Sequence, residues 1–320
     1  MLEVDLRPRT FSRVENGKII PPMNLELIVT DHCNISCQQC NHASPVMRKW
    51  NADLQQTERV LGVLSNVYHC DRLRLLGGEP LLHPNLTNLI HIGRASGIGN
   101  TINLITNGVL LDRLPDEAWR ALDVLEISVY QNSGLSKDLI KAARRKGDKL
   151  GTEVQIAHYP KFRHTFSLHK AQTPKLVDDI WTACKMANVW GCHSLRGDHM
   201  FRCPQSIYVP PLTGGHLTDE GFAVTSAPDL RDRLIAFLNG AGPLRSCANC
   251  VGSCGKQFNQ TGLPRKSWKD DLQTPMEDIV DYTLLAQSMT NMQVIDDCRM
   301  PERRKRGLGP AIARKFRQLL

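Results

Sequence analysis

Five apolar runs alternate with helix-compatible stretches through the first half of the chain. The runs have the length and bounding turn residues of buried parallel strands and occupy 24–30, 72–76, 101–106, 123–129 and 152–158. The stretches compatible with helices are 57–67, 85–95, 116–122 and 137–149. Alternating strands and helices predict a parallel sheet with right-handed crossovers, and therefore an α/β fold.

Short polar motifs follow or end four of these runs. Cys33, Cys37 and Cys40 follow the first run within a tight polar loop. The later motifs are Gly77-Gly78-Glu79-Pro80 after the second run, Thr106-Asn107-Gly108 after the third, and Ser128-Val129-Tyr130 at the end of the fourth. Reactive motifs at the carboxyl ends of parallel strands predict a (β/α) barrel that gathers them at one edge.

The three cysteines point to metal chemistry. Thiolates are soft ligands that select zinc or iron–sulfur clusters, and structural zinc normally takes four protein ligands. No fourth cysteine lies within this loop. On a cubane cluster, three thiolates leave one iron open to bind a substrate. Gly77 and Gly78 remove side chains where a backbone must approach a ligand closely, and Glu79 supplies a carboxylate for a cationic group.

The CxxxCxxC spacing of Cys33, Cys37 and Cys40, followed in order by the other motifs, resembles the signature of radical S-adenosylmethionine (AdoMet) enzymes. The resemblance implies that these cysteines hold a 4Fe–4S cluster whose open iron chelates AdoMet. An electron then cleaves AdoMet to a 5′-deoxyadenosyl radical. The residues implied to bind AdoMet are Gly77, Gly78, Glu79 (on the methionyl ammonium), Thr106, Asn107, Gly108 and Ser128. The family's fold is an incomplete (β/α)6 TIM-like barrel, expected over about residues 23–180.

The pattern changes after residue 180. A hairpin with its tip near Arg196-Gly197-Asp198 is predicted between Cys184 and Cys203, and a CxxC pair, Cys247 and Cys250, comes later. These cysteines are able to supply four thiolates to one metal site. The arrangement resembles the small C-terminal twitch domain, the shortened relative of the SPASM domain, which holds an auxiliary 4Fe–4S cluster in part of the family.

Several ligand sets for this auxiliary site stay open. The candidates are Cys184, Cys192, Cys203, Cys247, Cys250 and Cys254. Cys184 with Cys203 and the CxxC pair matches the spacing in twitch-bearing aminocyclitol dehydrogenases, whereas Cys192 with Cys203 matches a SPASM hairpin. Cys254 is close enough to substitute, and Cys298 is a candidate last ligand for a second auxiliary cluster. A structural zinc site is the alternative, since CxxC pairs are common zinc ligands.

The resemblance extends to proteins found with sugar, polysaccharide and aminoglycoside biosynthesis. It implies hydrogen abstraction from a small hydroxyl-rich substrate, similar to a sugar or an aminocyclitol, for oxidation, dehydration or epimerisation. Several polar aromatic residues are candidates to line the pocket, and His42, two residues after Cys40, is the best placed of them; His42 and Tyr130 are the candidate catalytic residues. The alternatives are a SPASM-type peptide-modifying maturase and a zinc-binding interaction module that is not an enzyme.

Charge and composition add a location and partners. No apolar run approaches the roughly 20 residues of a membrane helix. Clustered thiols among eleven cysteines favour a reducing, cytoplasmic compartment, and no secretory signal is recognisable. A flavodoxin- or ferredoxin-type electron donor is the implied protein partner. Eight basic residues against Glu302 give residues 299–320 a charge of +7 out of the chain's +8, and this tail is a candidate for contact with an anionic surface.

The chain is accordingly divided into four predicted parts. Residues 1–22 form a lead-in segment and residues 23–180 the partial barrel. Residues 181–260 form the auxiliary cluster domain, and residues 261–320 a C-terminal extension with the basic tail.

Overall fold

The computed structural model of the protein describes residues 10–131 and 133–291 and the backbone of residues 300 and 301. The strands in this part are Arg13–Glu15 (β1), Lys18–Ile20 (β2), Asn24–Thr30 (β3), Cys70–Gly77 (β4), Gly99–Thr106 (β5), Val124–Tyr130 (β6), Glu153–Tyr159 (β7), Lys161–Arg163 (β8), His193–Arg196 (β9), His199–Phe201 (β10), Phe222–Ala223 (β11), Gln257–Asn259 (β12) and Met300–Pro301 (β13). The predictions for Cys298 and most of the basic tail lie outside the described residues.

The α-helices are Leu54–Ser65 (α1), Leu86–Ser96 (α2), Asp116–Ala121 (α3), Lys137–Leu150 (α4), Pro174–Ala183 (α5), Gln205–Leu212 (α6), Leu230–Leu238 (α7), Met276–Ile279 (α8) and Tyr282–Thr290 (α9). Local chemistry fixes the ends of α4. The Ser136 side chain accepts a hydrogen bond from the Leu139 backbone N–H, and the helix ends at Gly151 in the left-handed region. In the described part of the chain, no helix is long and apolar enough to cross a membrane.

The main sheet contains nine strands within the described residues, in the order β11-β10-β9-β3-β4-β5-β6-β7-β13. Neighbours from β9 through β7 are parallel, and the outer pairs are antiparallel. The α/β fold is therefore confirmed, and β3 to β7 correspond in order to the five predicted runs. The sixth parallel strand is β9, which pairs with β3 at the opposite edge from β7. The described strands do not close into a barrel.

The two faces of this sheet differ in chemistry. On β3, Leu25, Leu27 and Val29 belong to the large apolar core that includes residues of α1 and α2. The alternate residues of β3 point the other way, because side chains on a strand change face at every step. Ile28 from that second face belongs to a separate core with Tyr208 and Trp268. Helices α1 and α2 pack on the first face together with the β9–β10 hairpin and α7, whereas α6 and the segment around Trp268 pack on the second.

The predicted hairpin is present as β9 and β10, and it turns at Gly197 with φ of +58°. Leu195 and Met200 of the hairpin belong to the same apolar core as β3 and β4. The hairpin thus extends the main sheet beside β3. The local sequence predicts the hairpin but does not indicate which strand it pairs with.

Candidate functional site

The three cysteines of the first motif share one loop directly after β3. Cys37 is buried, whereas Cys33 and Cys40 are half-buried. Burial, followed by electrostatic repulsion from Cys40 and Glu79, raises the pKa of Cys33 to about 12. Burial also raises the pKa of Cys37, and both other loop thiols add to this shift. The three sulfurs therefore lie close enough to interact, and metal binding at this loop releases protons.

The glycine pair after β4 holds this loop in place. The Gly78 N–H donates to the Thr30 carbonyl at 2.8 Å, and the Glu79 N–H donates to the His32 carbonyl at 2.9 Å. A Cβ on Gly78 would lie 2.1 Å from the His32 carbonyl oxygen, and one on Gly77 would lie 2.2 Å from the Thr30 oxygen. The missing side chains thus let two strand ends meet, a closer approach than any L side chain permits.

Glu79 is fully buried and accepts three hydrogen bonds from its own chain. Its Oε1 accepts from the Thr106 hydroxyl at 2.6 Å and from the Leu81 N–H at 3.0 Å. Its Oε2 accepts from the Asn107 N–H at 2.8 Å. Burial raises the pKa of Glu79 from 4.5 to about 7, although these hydrogen bonds act in the opposite direction. Glu79 therefore joins the second and third motifs at the edge of the sheet.

Asn107 links the third motif to the cysteine loop. Its Nδ2 donates to Asn34 Oδ1 at 2.7 Å and lies 3.7 Å from Cys33 Sγ. Gly108 follows at φ of +76°, where a Cβ would lie 2.8 Å from Ile127. Ser128 is buried on β6, and its side chain is hydrogen-bonded to Tyr130. The structure thus gathers the four predicted motifs at the carboxyl edge of the sheet.

The two candidate catalytic residues have different neighbours. His42 meets the Tyr208 ring edge-on at a centroid distance of 5.5 Å. Burial, followed by Arg74, lowers the pKa of His42 to about 4, so the imidazole is neutral at neutral pH. Tyr130 packs on Tyr159 at 5.7 Å, and its hydroxyl interacts electrostatically with Cys37. Both residues face the side of the sheet that carries the cysteine loop.

Four of the later cysteines form a second group. Cys184 follows α5, Cys203 follows β10, and Cys247 and Cys250 stand at the turn Arg245–Asn249. All six pairs among these four thiols interact electrostatically. Gly252 fits against this group, because its N–H lies 3.3 Å from Cys250 Sγ and a Cβ there would lie 2.8 Å from Cys184 Sγ.

Cys192 and Cys254 have other surroundings. Cys254 is fully buried in an apolar core with Ile180 and Met276, and it interacts electrostatically with Cys184. Burial raises the pKa of Cys192, and its electrostatic neighbours are, in decreasing order of effect, Glu26, Arg74, Cys203 and Cys184. Cys192 therefore faces the interior polar residues of the sheet.

A buried polar layer on that sheet face is a feature that sequence reasoning missed. Arg74 on β4 lies 3.3 Å from Glu26 Oε1 on β3 and 3.6 Å from Glu126 Oε2 on β6. Asn103 pairs with Arg74 in register on β5, and its buried Oδ1 has no hydrogen-bond partner among the described residues. Ser194 on β9 donates to Glu26 at 3.3 Å. The sequence does contain a signal for this layer, because Glu26 and Arg74 are charged residues inside the apolar runs 24–30 and 72–76.

The segment 260–272 is a second missed feature. The Gln38 N–H donates to the Thr261 carbonyl at 3.0 Å, and the Leu263 N–H donates to the Ser36 carbonyl at 2.8 Å. Cys37 and Gly262 form an isolated antiparallel bridge. This segment therefore lies directly against the cysteine loop.

In the described residues, no group of three or more His, Cys, Asp and Glu side chains is arranged to hold a single metal ion.

Several known proteins are similar to this chain. GTP 3',8-cyclase of Chlorobaculum tepidum is 33% identical over 106 residues, which are 33% of this chain and 32% of that protein. PqqA peptide cyclase of Gluconobacter oxydans is 35% identical over 118 residues, 34% of this chain and 30% of that protein. The chain thus spans about a third of the length of these curated relatives.

Solved structures also resemble the chain. A crystal structure of BtrN in complex with AdoMet and 2-DOIA is 15% identical, covers 71% of this chain and 92% of that chain, and has a TM-score of 0.43. Streptococcus suis SuiB bound to S-adenosylmethionine is 21% identical, covers 43% of this chain and 34% of that chain, and has a TM-score of 0.35.

Residues 27–150 match the family model described as Radical SAM superfamily, and they include the end of β3, all of β4 to β6 and all of the predicted AdoMet motifs. Residues 27–150 are thus a radical SAM domain, and enzymes with this domain bind a 4Fe–4S cluster and AdoMet.

Proposed function

We propose that this protein cleaves AdoMet reductively and uses the resulting radical to remove a hydrogen atom from a small, hydroxyl-rich substrate. The observation that carries the proposal is the cysteine loop fixed against the Gly77-Gly78 backbone and the Asn107 side chain. It joins a three-thiol donor set to the strand ends that hold small polar groups.

The residues present fit the cluster and AdoMet. Cys33, Cys37 and Cys40 supply three soft thiolate ligands on one loop, and there is no fourth cysteine within that loop to close the site. When bound, the cluster supplies the electron that cleaves the sulfonium of AdoMet. The chain's part is to hold AdoMet with the strand-end groups: Gly77, Gly78, Glu79, Thr106, Asn107, Gly108 and Ser128.

The second thiol group fits an auxiliary 4Fe–4S cluster held by Cys184, Cys203, Cys247 and Cys250. Each of these four thiols interacts with the other three, whereas Cys192 interacts only with Cys203 and Cys184 among them and Cys254 only with Cys184, and this difference favours the set. Gly252 supports the assignment because it leaves room beside Cys184 and directs an N–H toward Cys250. Four protein ligands leave no open iron, which suits structural support and electron transfer rather than AdoMet binding.

The polar layer supports a substrate rich in hydrogen-bond donors. Arg74 lies between the buried carboxylates of Glu26 and Glu126, so charged and polar groups line this face of the sheet. The unpartnered Asn103 Oδ1 adds another buried acceptor. Hydroxyl or ammonium groups of a sugar-like or aminocyclitol-like molecule would satisfy these acceptors. The neutral His42 and the Cys192 thiol face the same layer and are candidates for proton or hydrogen transfer.

A peptide substrate is the second candidate function. It is favoured by the similarity to PqqA peptide cyclase over 118 residues.

For either substrate, a flavodoxin- or ferredoxin-type protein is the proposed electron donor, and the proposed location is the cytoplasm.

The test combines cofactor and substrate. After anaerobic reconstitution, wild type should form 5′-deoxyadenosine from AdoMet with dithionite, and a Cys33→Ala/Cys37→Ala/Cys40→Ala variant should form none. Cys70→Ala is the matched control, because Cys70 is a buried thiol in the apolar core outside both groups. Cleavage by the triple variant would contradict the proposal. Deuterium transfer from a labelled aminocyclitol or sugar, and not from a labelled peptide, would decide between the two substrate classes.

A further inference from the structure

The segment 260–272, here called the clasp, covers the cysteine loop through side chains as well as backbone. The indole N–H of Trp268, which is fully buried, donates to the Cys37 carbonyl at 2.9 Å. Asp271 accepts hydrogen bonds from the Gln38 and Gln39 side chains at 2.6 and 2.8 Å. The clasp therefore fixes the loop at Cys37, Gln38 and Gln39.

Gln260 is the clasp residue that reaches a sulfur. It is 3% exposed, and its Nε2 donates to Cys37 Sγ at 3.5 Å. Its Oε1 is buried and has no hydrogen-bond partner among the described residues. Its Nε2 also donates to the Thr261 carbonyl at 3.4 Å, so the opposite amide orientation would place Oε1 against that carbonyl oxygen and against a thiolate, which are both acceptors.

We propose that Gln260 sets the reduction potential of the cluster held by Cys33, Cys37 and Cys40. The inference rests on the proposed function, because it requires Cys37 to be a cluster ligand. Reduction adds negative charge that is shared by the thiolate sulfurs. An N–H directed at a sulfur stabilises that charge and raises the potential, and exclusion of water by the clasp makes the effect larger.

The matched domain covers residues 27–150, and Gln260 lies outside it. In this role Gln260 controls how easily the cluster accepts its electron. Gln260 and its neighbours follow the auxiliary cysteines in sequence, so the same part of the chain that carries the second thiol group also contacts the first cluster.

The test is the midpoint potential of the AdoMet-binding cluster, measured by a redox titration followed by EPR. Addition of AdoMet identifies that cluster's signal, because only a cluster with an open iron responds directly. Gln260→Met keeps the length of the side chain without a donor and should lower the potential. Gln260→Lys places a cationic donor there and should raise the potential above that of wild type. Gln155→Met is the matched control, because Gln155 is a partly buried glutamine bonded to Glu153, and it should leave the potential unchanged.

The outcomes separate the two proposals. If wild type assembles no cluster that responds to AdoMet, the proposed function fails and this inference fails with it. If the cluster assembles but the Met and Lys variants share the wild-type potential, only the inference on Gln260 is overturned. If Gln260→Met holds no cluster, Gln260→Lys decides alone, and a wild-type potential in that variant overturns the inference.

Discussion

At the scale of single residues, the buried carboxylate of Glu79 accepts hydrogen bonds on both of its oxygens. Two backbone N–H groups and the Thr106 hydroxyl converge on its carboxylate. The resemblance assigns Glu79 to the methionyl ammonium of AdoMet, while these contacts give it a second task before any ligand binds. It holds the Thr106-Asn107 turn beside the cysteine loop, and this task is measurable in the protein without AdoMet.

We expect Glu79→Gln to lower the free energy of unfolding by about 1–3 kcal/mol, because the amide N–H faces donors where the carboxylate accepted. The pKa of Glu79 is raised from 4.5 to about 7, so its protonated form favours the folded state; this contribution is fully present below about pH 4.5 and is lost as the pH rises through about 7. The advantage of wild type over Glu79→Gln should therefore shrink over that range. Urea unfolding of both proteins at about pH 5 and about pH 7.5 measures this difference in the free energy of unfolding. The same difference at both pH values would contradict a raised pKa of Glu79.

Gly78 makes a second prediction at this scale. A Cβ there would lie 2.1 Å from the backbone oxygen of His32, and backbone cannot move aside as a flexible side chain can. Gly78→Ala should lower the free energy of unfolding by about 1–3 kcal/mol and reduce the iron bound at the first site. Gly62→Ala in α1 is the control, because no atom lies within 4 Å of its Cβ position, and there we expect a gain of about 0.5–1 kcal/mol. Equal unfolding midpoints for both variants would argue against a close approach at Gly78.

At the scale of elements, the β9–β10 hairpin is attached to the start of the cysteine loop. Arg196 at the end of β9 contacts Asp31 Oδ2 at 2.5 Å and lies 3.9 Å above the Trp50 ring. The side chains of Arg196 and Asp31 are 11% and 2% exposed. The pair links the region after residue 180 to the residue two positions before Cys33.

Arg196→Ala should destabilise the protein by about 3 kcal/mol, the low end for a broken buried pair. The cost stays at that end because burial already raises the pKa of Asp31, which takes up a proton when its partner is removed. Thermal unfolding and reconstituted iron content measure the effect. Lys141→Ala breaks an exposed pair with Asp138 and is expected to have little effect, so similar losses in both variants would show that the hairpin contact is unimportant.

The elements also show where sequence reasoning succeeds. The apolar runs predicted β3 to β7 within about two residues, because alternating buried strands and amphipathic helices leave a strong local period. The position of β9 beside β3 and the clasp on the cysteine loop left no such signal, since both depend on pairing between distant segments. Likewise, nothing in the spacing separates Cys192 from Cys184. Only the fold turns Cys192 toward Glu26 and Arg74.

At the scale of the whole molecule, the two thiol groups share one continuous structure. The β8–β12 pair joins the end of the barrel strands to the segment after Cys254, and the clasp follows β12 directly. The segment that follows the second thiol group therefore also contacts the cysteine loop. Loss of the auxiliary thiols is expected to reach the first cluster only through the clasp.

The last prediction uses this arrangement. A Cys247→Ala/Cys250→Ala variant should lose about half of the reconstituted iron, because the first three thiols are unchanged, and should keep AdoMet cleavage uncoupled from substrate turnover.

Cys254→Ala is the matched control, since Cys254 is buried among apolar side chains and should leave the iron content unchanged. Full iron in the double variant would show that Cys247 and Cys250 hold no cluster. If the double variant loses all iron while the amide groups of the clasp stay protected from hydrogen exchange, the first three cysteines do not bind their iron independently of Cys247 and Cys250. Loss of all iron with an exposed clasp would show instead that the auxiliary thiols hold the clasp on the first cluster, because the clasp is the part of that region in direct contact with Cys37.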